Sequence, residues 1–385
     1  MYIHYNNFNA LSKTPPYICF MKLCVYTQES YIMLNTEITE SVIPANAWFS
    51  TGKRVPYNLK TKQILKDKVG THSPDTLHIY KNVVKDQPQG TFPAWASFLP
   101  GWPDGSYGWA KVDHLLVNEN IGHRLYFDYV GHGASDKPVD YPYSTFERAD
   151  MVEAIWQSEG IKSTYIYAFD YSSIVTLELL ARQQDRLEAG EKLTTKIEGV
   201  MLINGGLYAD GHTHPLMTTP ILKSWLGSFI TSLAQRYKPV FAEITKPLWS
   251  KDFDVTPNEI DELYKVIGQR NGIYSMSKSA GFLKDHLQNP DRLNLTRLYR
   301  NARGSVAFHV VGSAQDPFEG KQAKLAQERL GDEGLDIRIL PGGHLSTSEH
   351  PEYLAQIIKD VAPKAKPAPA LVTTISPVAV AGAVQ

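Results

Sequence analysis

Cysteine is nearly absent: Cys19 and Cys24 are the only two in 385 residues. Both fall in the N-terminal stretch, which excludes a disulfide framework holding the chain together and leads to the expectation of free thiols in a reducing compartment. Charge of one sign is also missing. With 39 Lys and Arg against 40 Asp and Glu the net charge is −1, so there is no electrostatic case for nucleic acid or an anionic membrane as partner. No run approaches the roughly 20 apolar residues of a membrane span. The opening MYIHYNNFNALSKTPPYICFMKLCVY has no basic region, apolar core and small-residue cleavage site, as a signal peptide would. A cytoplasmic location is expected. The sequence does not fix an oligomeric state.

The chain is organised around short apolar runs that alternate with helical patterns. TLHIYKNVV, TFPAWASFL, HRLYFDYV, STYIYAFD, IEGVMLIN, SVAFHVVG and LDIRILPG read as strands. FERADMVEAIWQSEG and SSIVTLELLARQQDRLEAG read as helices between them. Such alternation predicts an α/β fold, a mostly parallel sheet with helices on both faces. Residues 207–298 carry helical patterns without a convincing strand and are expected to form a helical cap. The core is then split into residues 51–206 and 299–363. Residues 1–50 read as a peripheral extension without clear periodicity, and the low-complexity residues 364–385 as a disordered tail.

Ligands of open parallel sheets sit beyond the carboxyl ends of the strands, so chemistry is expected in the turns that follow them. The stretch YIYAFDYSSIV has the strand–turn–helix form of a nucleophile elbow, which needs small residues two before and two after its centre. Centring on Asp170 places Ala168 and Ser172 there. Centring on Ser172 or Ser173 places Asp170 and Ile174, or Tyr171 and Val175, and neither pair fits. Asp170 is therefore the candidate nucleophile, against the plainer role of a helix-capping aspartate.

A carboxylate is ionised near neutral pH and can attack a saturated carbon carrying a leaving group. The resulting ester must then be hydrolysed by water that a histidine activates and an acid orients. In this kind of fold the order along the chain is nucleophile, acid, histidine. Asp316, in the loop after FHVVGSAQ, and His344, in the glycine turn after LDIRILPG, complete that order. His350 competes as the histidine but stands at a helix start before Pro351. For the charge that develops on the ester oxygen, the N–H groups of Trp102, beside a tight turn at Gly101, and of Tyr171 are the candidate oxyanion donors.

These motifs resemble the α/β-hydrolase superfamily, in its aspartate-nucleophile branch of epoxide hydrolases and haloalkane dehalogenases. YFDYVGHGASDKP is similar to the branch's D-x-x-G-x-G-x-S-D-K-P segment, PGWPDGSYGW to its H-G-x-P loop, and AFDYSS to G-x-D-[W/Y]-G. INGGLYADGHTHP and RYKPVF are similar to proteins of the mesoderm-specific transcript type. The resemblance covers roughly residues 91–351 and implies a hydrolase with Asp170 as nucleophile, Asp316 as acid and His344 as base, acting on a small or medium apolar molecule with water as co-substrate.

Three positions depart from the family pattern. Pro100 replaces the histidine of H-G-x-P, Phe169 the histidine before the nucleophile, and Ser172 the following glycine. Tyr171 stands where haloalkane dehalogenases carry a halide-binding tryptophan, which favours epoxide opening over dehalogenation. Cap tyrosines, Tyr208, Tyr237, Tyr264 or Tyr274, are the proton donors an epoxide hydrolase would use. A catalytically silent binding protein is the rival reading.

No cofactor is expected. His212 and His214 form an H-x-H pair, but no further ligands present themselves in the sequence, so no metal site is expected either. His132 follows the wrong strand for a catalytic triad. The glycine-rich GHGASDKP lacks the phosphate-binding lysine spacing and reads as a loop lining the pocket.

Overall fold

A computed structural model of the protein describes residues 17–20, 23–26, 42–66, 73–85, 94–214 and 219–363. The tail expected to be disordered, residues 364–385, lies outside the described residues, as do the side chains of Cys19 and Cys24. One sheet runs through the molecule. Its strands are β1 (Tyr17–Phe20), β2 (Leu23–Tyr26), β3 (Lys53–Asn58), β4 (Gln63–Ile64), β5 (Thr76–Val84), β6 (Trp95–Leu99), β7 (Arg124–Phe127), β8 (Ser163–Phe169), β9 (Lys196–Ile203), β10 (Ala307–Ser313) and β11 (Asp336–Leu340). They lie in the order β1-β2-β11-β10-β9-β8-β6-β7-β5-β3-β4. From β2 to β7 the neighbours are parallel, and β5, β3 and β4 extend the sheet antiparallel.

β8 illustrates why the sheet is buried on both faces. Side chains alternate across a strand, so Ile166 and Ala168 enter one core cluster while Tyr165, Tyr167 and Phe169 enter the other. The first cluster is closed by helices Thr145–Glu159, Ser172–Glu188 and Leu295–Ala302. The second is closed by Ala110–Leu115 and Pro351–Val361. With no polar face to turn outward, these strands read as nearly continuous apolar runs.

Every strand expected from β5 onward is present, with ends within a few residues. β3 and β4 were not anticipated. β3 contains Pro56, which cannot donate to a ladder and disguises a strand near the sheet margin, and β4 is two residues long. β1 and β2 belong to the stretch read as a peripheral extension, and β2 pairs with β11.

Among the described residues between β9 and β10 there are helices and no strands. Helix starts in this insertion follow local chemistry. Thr256 forms a capping box with Glu259 at the start of Pro257–Gly268, and Ser224 Oγ accepts from the N–H of Gly227 at the start of Trp225–Arg236. The insertion is tied to the core by Asp285, whose carboxylate accepts from the N–H of Thr145 and the hydroxyl of Ser144. Among the described residues no helix is long and apolar enough to cross a membrane.

Candidate active site

Asp170 follows β8 directly and precedes the helix Ser172–Glu188. Its φ of +54° is rare for a residue with a side chain. Such a backbone costs on the order of 1–3 kcal/mol and persists only where its surroundings hold it. They do so here. Its N–H donates to Ile203 O and its carbonyl accepts from Ser173 N. On the far side Gly205 packs so closely that a Cβ would collide with the Asp170 carbonyl and the Ser173 side chain. The crowding that demands a small residue is thus met by Gly205 at the end of β9 as well as by Ala168 and Ser172.

The three residues expected to act together meet. His344 Nε2 lies 3.3 Å from Asp170 Oδ1, and His344 Nδ1 lies 2.9 Å from Asp316 Oδ2. The second oxygen of Asp316 accepts from the N–H groups of Phe318 and Glu319 at 2.8 and 3.2 Å, which fixes the carboxylate. All three side chains are almost fully buried. Burial alone would strip the proton from His344, but the two carboxylates outweigh it and hold the imidazole pKa well above its ordinary value.

The histidine loop is anchored from both sides. Asn204, at φ +45° after β9, donates through Nδ2 to the carbonyl of His344 at 2.8 Å and to Ser313 Oγ at 2.8 Å. From the helical insertion, Leu248 O accepts from the N–H groups of His344 and Leu345 at 3.1 and 3.2 Å. Glu349 bridges the same parts, accepting from Ser250 N and Gly343 N. The competing His350 packs against Tyr353, with Nδ1 3.6 Å from Glu352.

The Trp102 N–H donates to Asp170 Oδ2 at 2.9 Å, which puts one expected donor on the oxygen that would become the ester carbonyl. The tight turn expected at Gly101 has another cause than a left-handed backbone, because Gly101 is not at positive φ. A Cβ there would collide with the ring of Phe169. Ser172 donates to Pro100 O at 2.5 Å, so two departures from the family pattern are in contact. Tyr171 begins the following helix, and its ring is buried against Tyr129, His132 and the Arg148 guanidinium, 4.5 Å from the ring centre.

A cavity of about 270 Å³ opens over Asp170. Asp170, His344, Trp102 and Phe318 form its floor, and Ile221, Leu222, Ile230, Ile244, Leu248 and Met276 of the insertion form much of its wall. Tyr171 is not in the wall, nor is any of Tyr208, Tyr237, Tyr264 and Tyr274. Tyr264 donates to Gln235 O, Tyr208 is buried beside Thr296 and Arg329, and Tyr237 is exposed. His132 is buried, and desolvation followed by the charges of Arg148 and Lys137 drives its pKa far down.

Two features escaped the sequence. Asp104, in the loop after β6, is buried, and desolvation with the nearby Asp170 charge pushes its carboxyl up to about 7. Only its place in the PGWPDG loop could have drawn notice. His212 and His214, left without further ligands by the sequence, meet Glu319. His212 Nδ1 and His214 Nε2 each lie 2.9 Å from Glu319 Oε1. Burial opposes the charge on Glu319, yet the two histidines bring it down to about 2.

Residues 98–357 match the alpha/beta hydrolase family, and the chain belongs to that family. It is 34% identical over 191 residues to the human mesoderm-specific transcript homolog protein, an alignment covering 45% of this chain and 55% of that protein. The chain thus spans about half the length of the curated relatives it matches. Among solved structures it is similar to the haloalkane dehalogenase DatA from Agrobacterium tumefaciens, with TM-score 0.56, 16% identity, and 80% of this chain and 95% of that one covered. It is similar also to the epoxide hydrolase CorEH, with TM-score 0.52, 14% identity, and coverages of 80% and 96%. At such identities these likenesses speak for the fold alone.

Proposed function

We propose that the protein hydrolyses a small or medium apolar molecule, most consistently an epoxide, through an ester on Asp170. The helical insertion serves as the cap over the site, and a cytoplasmic setting goes with this reading. The observation that carries it is His344 placed between Asp170 and Asp316 with a raised pKa.

Asp170 Oδ1 attacks a ring carbon and the carbon–oxygen bond breaks, leaving an alkoxide. The His344 imidazolium gives that alkoxide its proton and becomes neutral. Alkylation has by then removed the negative charge of Asp170, so Asp316 is the main group that still favours the charged imidazole. Neutral His344 takes a proton from water, and the hydroxide adds to the ester carbon. The negative oxygen on Oδ2 is received by the Trp102 N–H, with the Tyr171 N–H as the second donor. Collapse returns the carboxylate, the imidazolium and a diol, so protons balance over the cycle.

This sequence needs no cap tyrosine, in keeping with a cavity wall that has none among the described residues. It also separates the two leaving groups. Halide departs without taking a proton, which would leave His344 charged and unable to serve as base until it lost a proton elsewhere. Haloalkane hydrolysis is therefore the second reading.

The test is turnover in ¹⁸O-water with a panel of epoxides and haloalkanes, followed by peptide mass spectrometry. An ester on Asp170 delivers its own oxygen to the product and leaves ¹⁸O in the Asp170 carboxylate. Turnover with label only in the product would overturn the ester mechanism. No turnover across the panel by folded protein would favour the silent binding protein.

A further inference from the structure

His212 and His214 lie in the segment that leaves β9, and Glu319 in the loop that leaves β10 three residues beyond Asp316. The backbone makes the H-x-H pair converge. Thr213 is laced to Phe318 O through both its N–H and its hydroxyl, at 3.2 and 2.7 Å, so the histidines on either side of it turn toward Glu319. His212 Nδ1, His214 Nε2 and the Glu319 carboxylate lie within 4.8 Å of one another. Their side chains are 7%, 10% and 3% exposed.

The hydrogen bonds around His212 fix where its own proton can sit. His286, fully buried, has Nε2 2.8 Å from the carbonyl of Leu293 and must donate there. Its Nδ1, 2.9 Å from His212 Nε2, is then an acceptor, so His212 Nε2 carries the hydrogen. That leaves His212 Nδ1 facing both oxygens of Glu319, at 2.9 and 3.1 Å. A lone pair cannot face a buried carboxylate at that distance without a cation between them. A proton there would make an ion pair with Glu319, to which His214 Nε2 would donate as well, whereas a divalent metal would take His212, His214 and Glu319 as three ligands of one ion.

We propose that His212, His214 and Glu319 bind one divalent ion of the zinc type at the wall of the substrate cavity, with His286 holding His212 in the tautomer that offers Nδ1. Two imidazoles and one carboxylate suit zinc and its borderline neighbours, and set it apart from the all-oxygen sites of calcium and magnesium. Bonds of about 2.0–2.2 Å in a tetrahedral arrangement separate ligand atoms by roughly 3.3 Å, so the two His–Glu contacts at 2.9 Å need open by a few tenths of an ångström, and all the ligand atoms already lie within 4.8 Å of one another. A histidine whose second nitrogen is engaged by an outer partner is the usual companion of such a ligand. The ion would tie together the exit from β9, the loop of Asp316 and the helix Phe282–Gln288, which carries His286. It would touch the cavity through His214, which lines it. This proposal stands whether or not the hydrolysis reading holds.

The experiment uses the full chain, stripped with chelator and dialysed, then titrated with Zn²⁺ by calorimetry and with Co²⁺ by visible absorption. One equivalent should bind, raise the melting temperature and give Co²⁺ bands of a nitrogen and oxygen site without thiolate charge transfer. Glu319→Gln and His214→Asn, shown folded by circular dichroism, should lose that equivalent. His286→Asn should weaken it by about 10–100-fold. Absence of stoichiometric uptake by the wild-type chain would overturn the proposal and leave a proton-held ion pair. Uptake unchanged in the variants, or thiolate bands pointing to Cys19 and Cys24, would overturn it as well.

Discussion

Nε2 of His344 lies 3.3 Å from Oδ1 of Asp170, close enough for the carboxylate's charge to raise the proton affinity of the imidazole. With Asp316 on its other nitrogen, the imidazole is held charged in the resting protein. The first step should then depend on pH in a definite direction. Ester formation with epoxides needs the imidazolium, so its single-turnover rate should be constant at low and neutral pH and fall as pH rises through the raised pKa of His344. Ester formation with a haloalkane needs no proton and should not show that fall. Rapid-quench mass measurement of the adduct across pH checks both.

Replacing His344 separates the same two steps. His344→Gln should accumulate a covalent adduct on Asp170, because water is no longer activated. A haloalkane should load faster than an epoxide of similar size, since the proton donor is lost too. Intact-protein mass spectrometry reads the adduct and peptide mapping places it; equal hydrolysis by variant and wild type would sink the assignment of the base.

The same pair bears on stability. A histidine whose pKa is raised by folding binds its proton more tightly folded than unfolded. Its contribution is fully present below the unfolded pKa, near ~6.5, and is lost as pH rises through the folded value. The wild-type melting temperature should therefore fall relative to that of His344→Gln across the alkaline range, and differential scanning calorimetry of the two proteins at several pH values is the check.

Asp104 titrates the opposite way from an ordinary buried ion-paired carboxylate. Folding raises its pKa from 3.8 to about 7, so the folded state keeps a proton that the unfolded chain releases. Stability should decline from about pH 4 to about pH 7 and level off above, by a few kcal/mol at ~1.4 kcal/mol per unit. Asp104→Asn should remove that decline and melt several degrees higher than wild type at pH 8, with little difference at pH 4. A variant that melts lower than wild type at pH 8 would count against the shift.

Gly101 and Phe169 form one packing unit. Gly101→Ala should cost about 1–3 kcal/mol through overpacking. It should also lower the rate about 10²–10³-fold, because it displaces the Trp102 N–H from Asp170. Combined with Phe169→Leu, the two effects should be less than additive, by about 0.5–3 kcal/mol of coupling. Additivity in a double-mutant cycle would show that the ring does not support the loop.

Much of this was legible in the chain. The elbow, the acid loop and the histidine turn each follow an apolar run, and local spacing carries that information. Pairing of β2 with β11 and the two short marginal strands were not legible, because they depend on long-range partners and one contains Pro56. The same limit applies to Glu319, which lies more than a hundred residues from His212 and His214 in sequence and meets them because β9 and β10 are neighbours in the sheet. Whether any cap tyrosine reaches the site was not legible for a different reason. Helical spacing says that a residue faces some partner, but it does not say whether that partner is a cavity or another helix.

Leu248 gives the insertion a mechanical role beyond enclosure. Its single carbonyl receives the N–H groups of both His344 and Leu345, so the His344 turn hangs from the helical insertion that walls the cavity. On the proposed hydrolysis, a shift of that end of the insertion as a bulky product left would be felt at the imidazole through two hydrogen bonds. Gate and base would then be coupled parts, with the clock of product release and the clock of proton transfer on a common shaft.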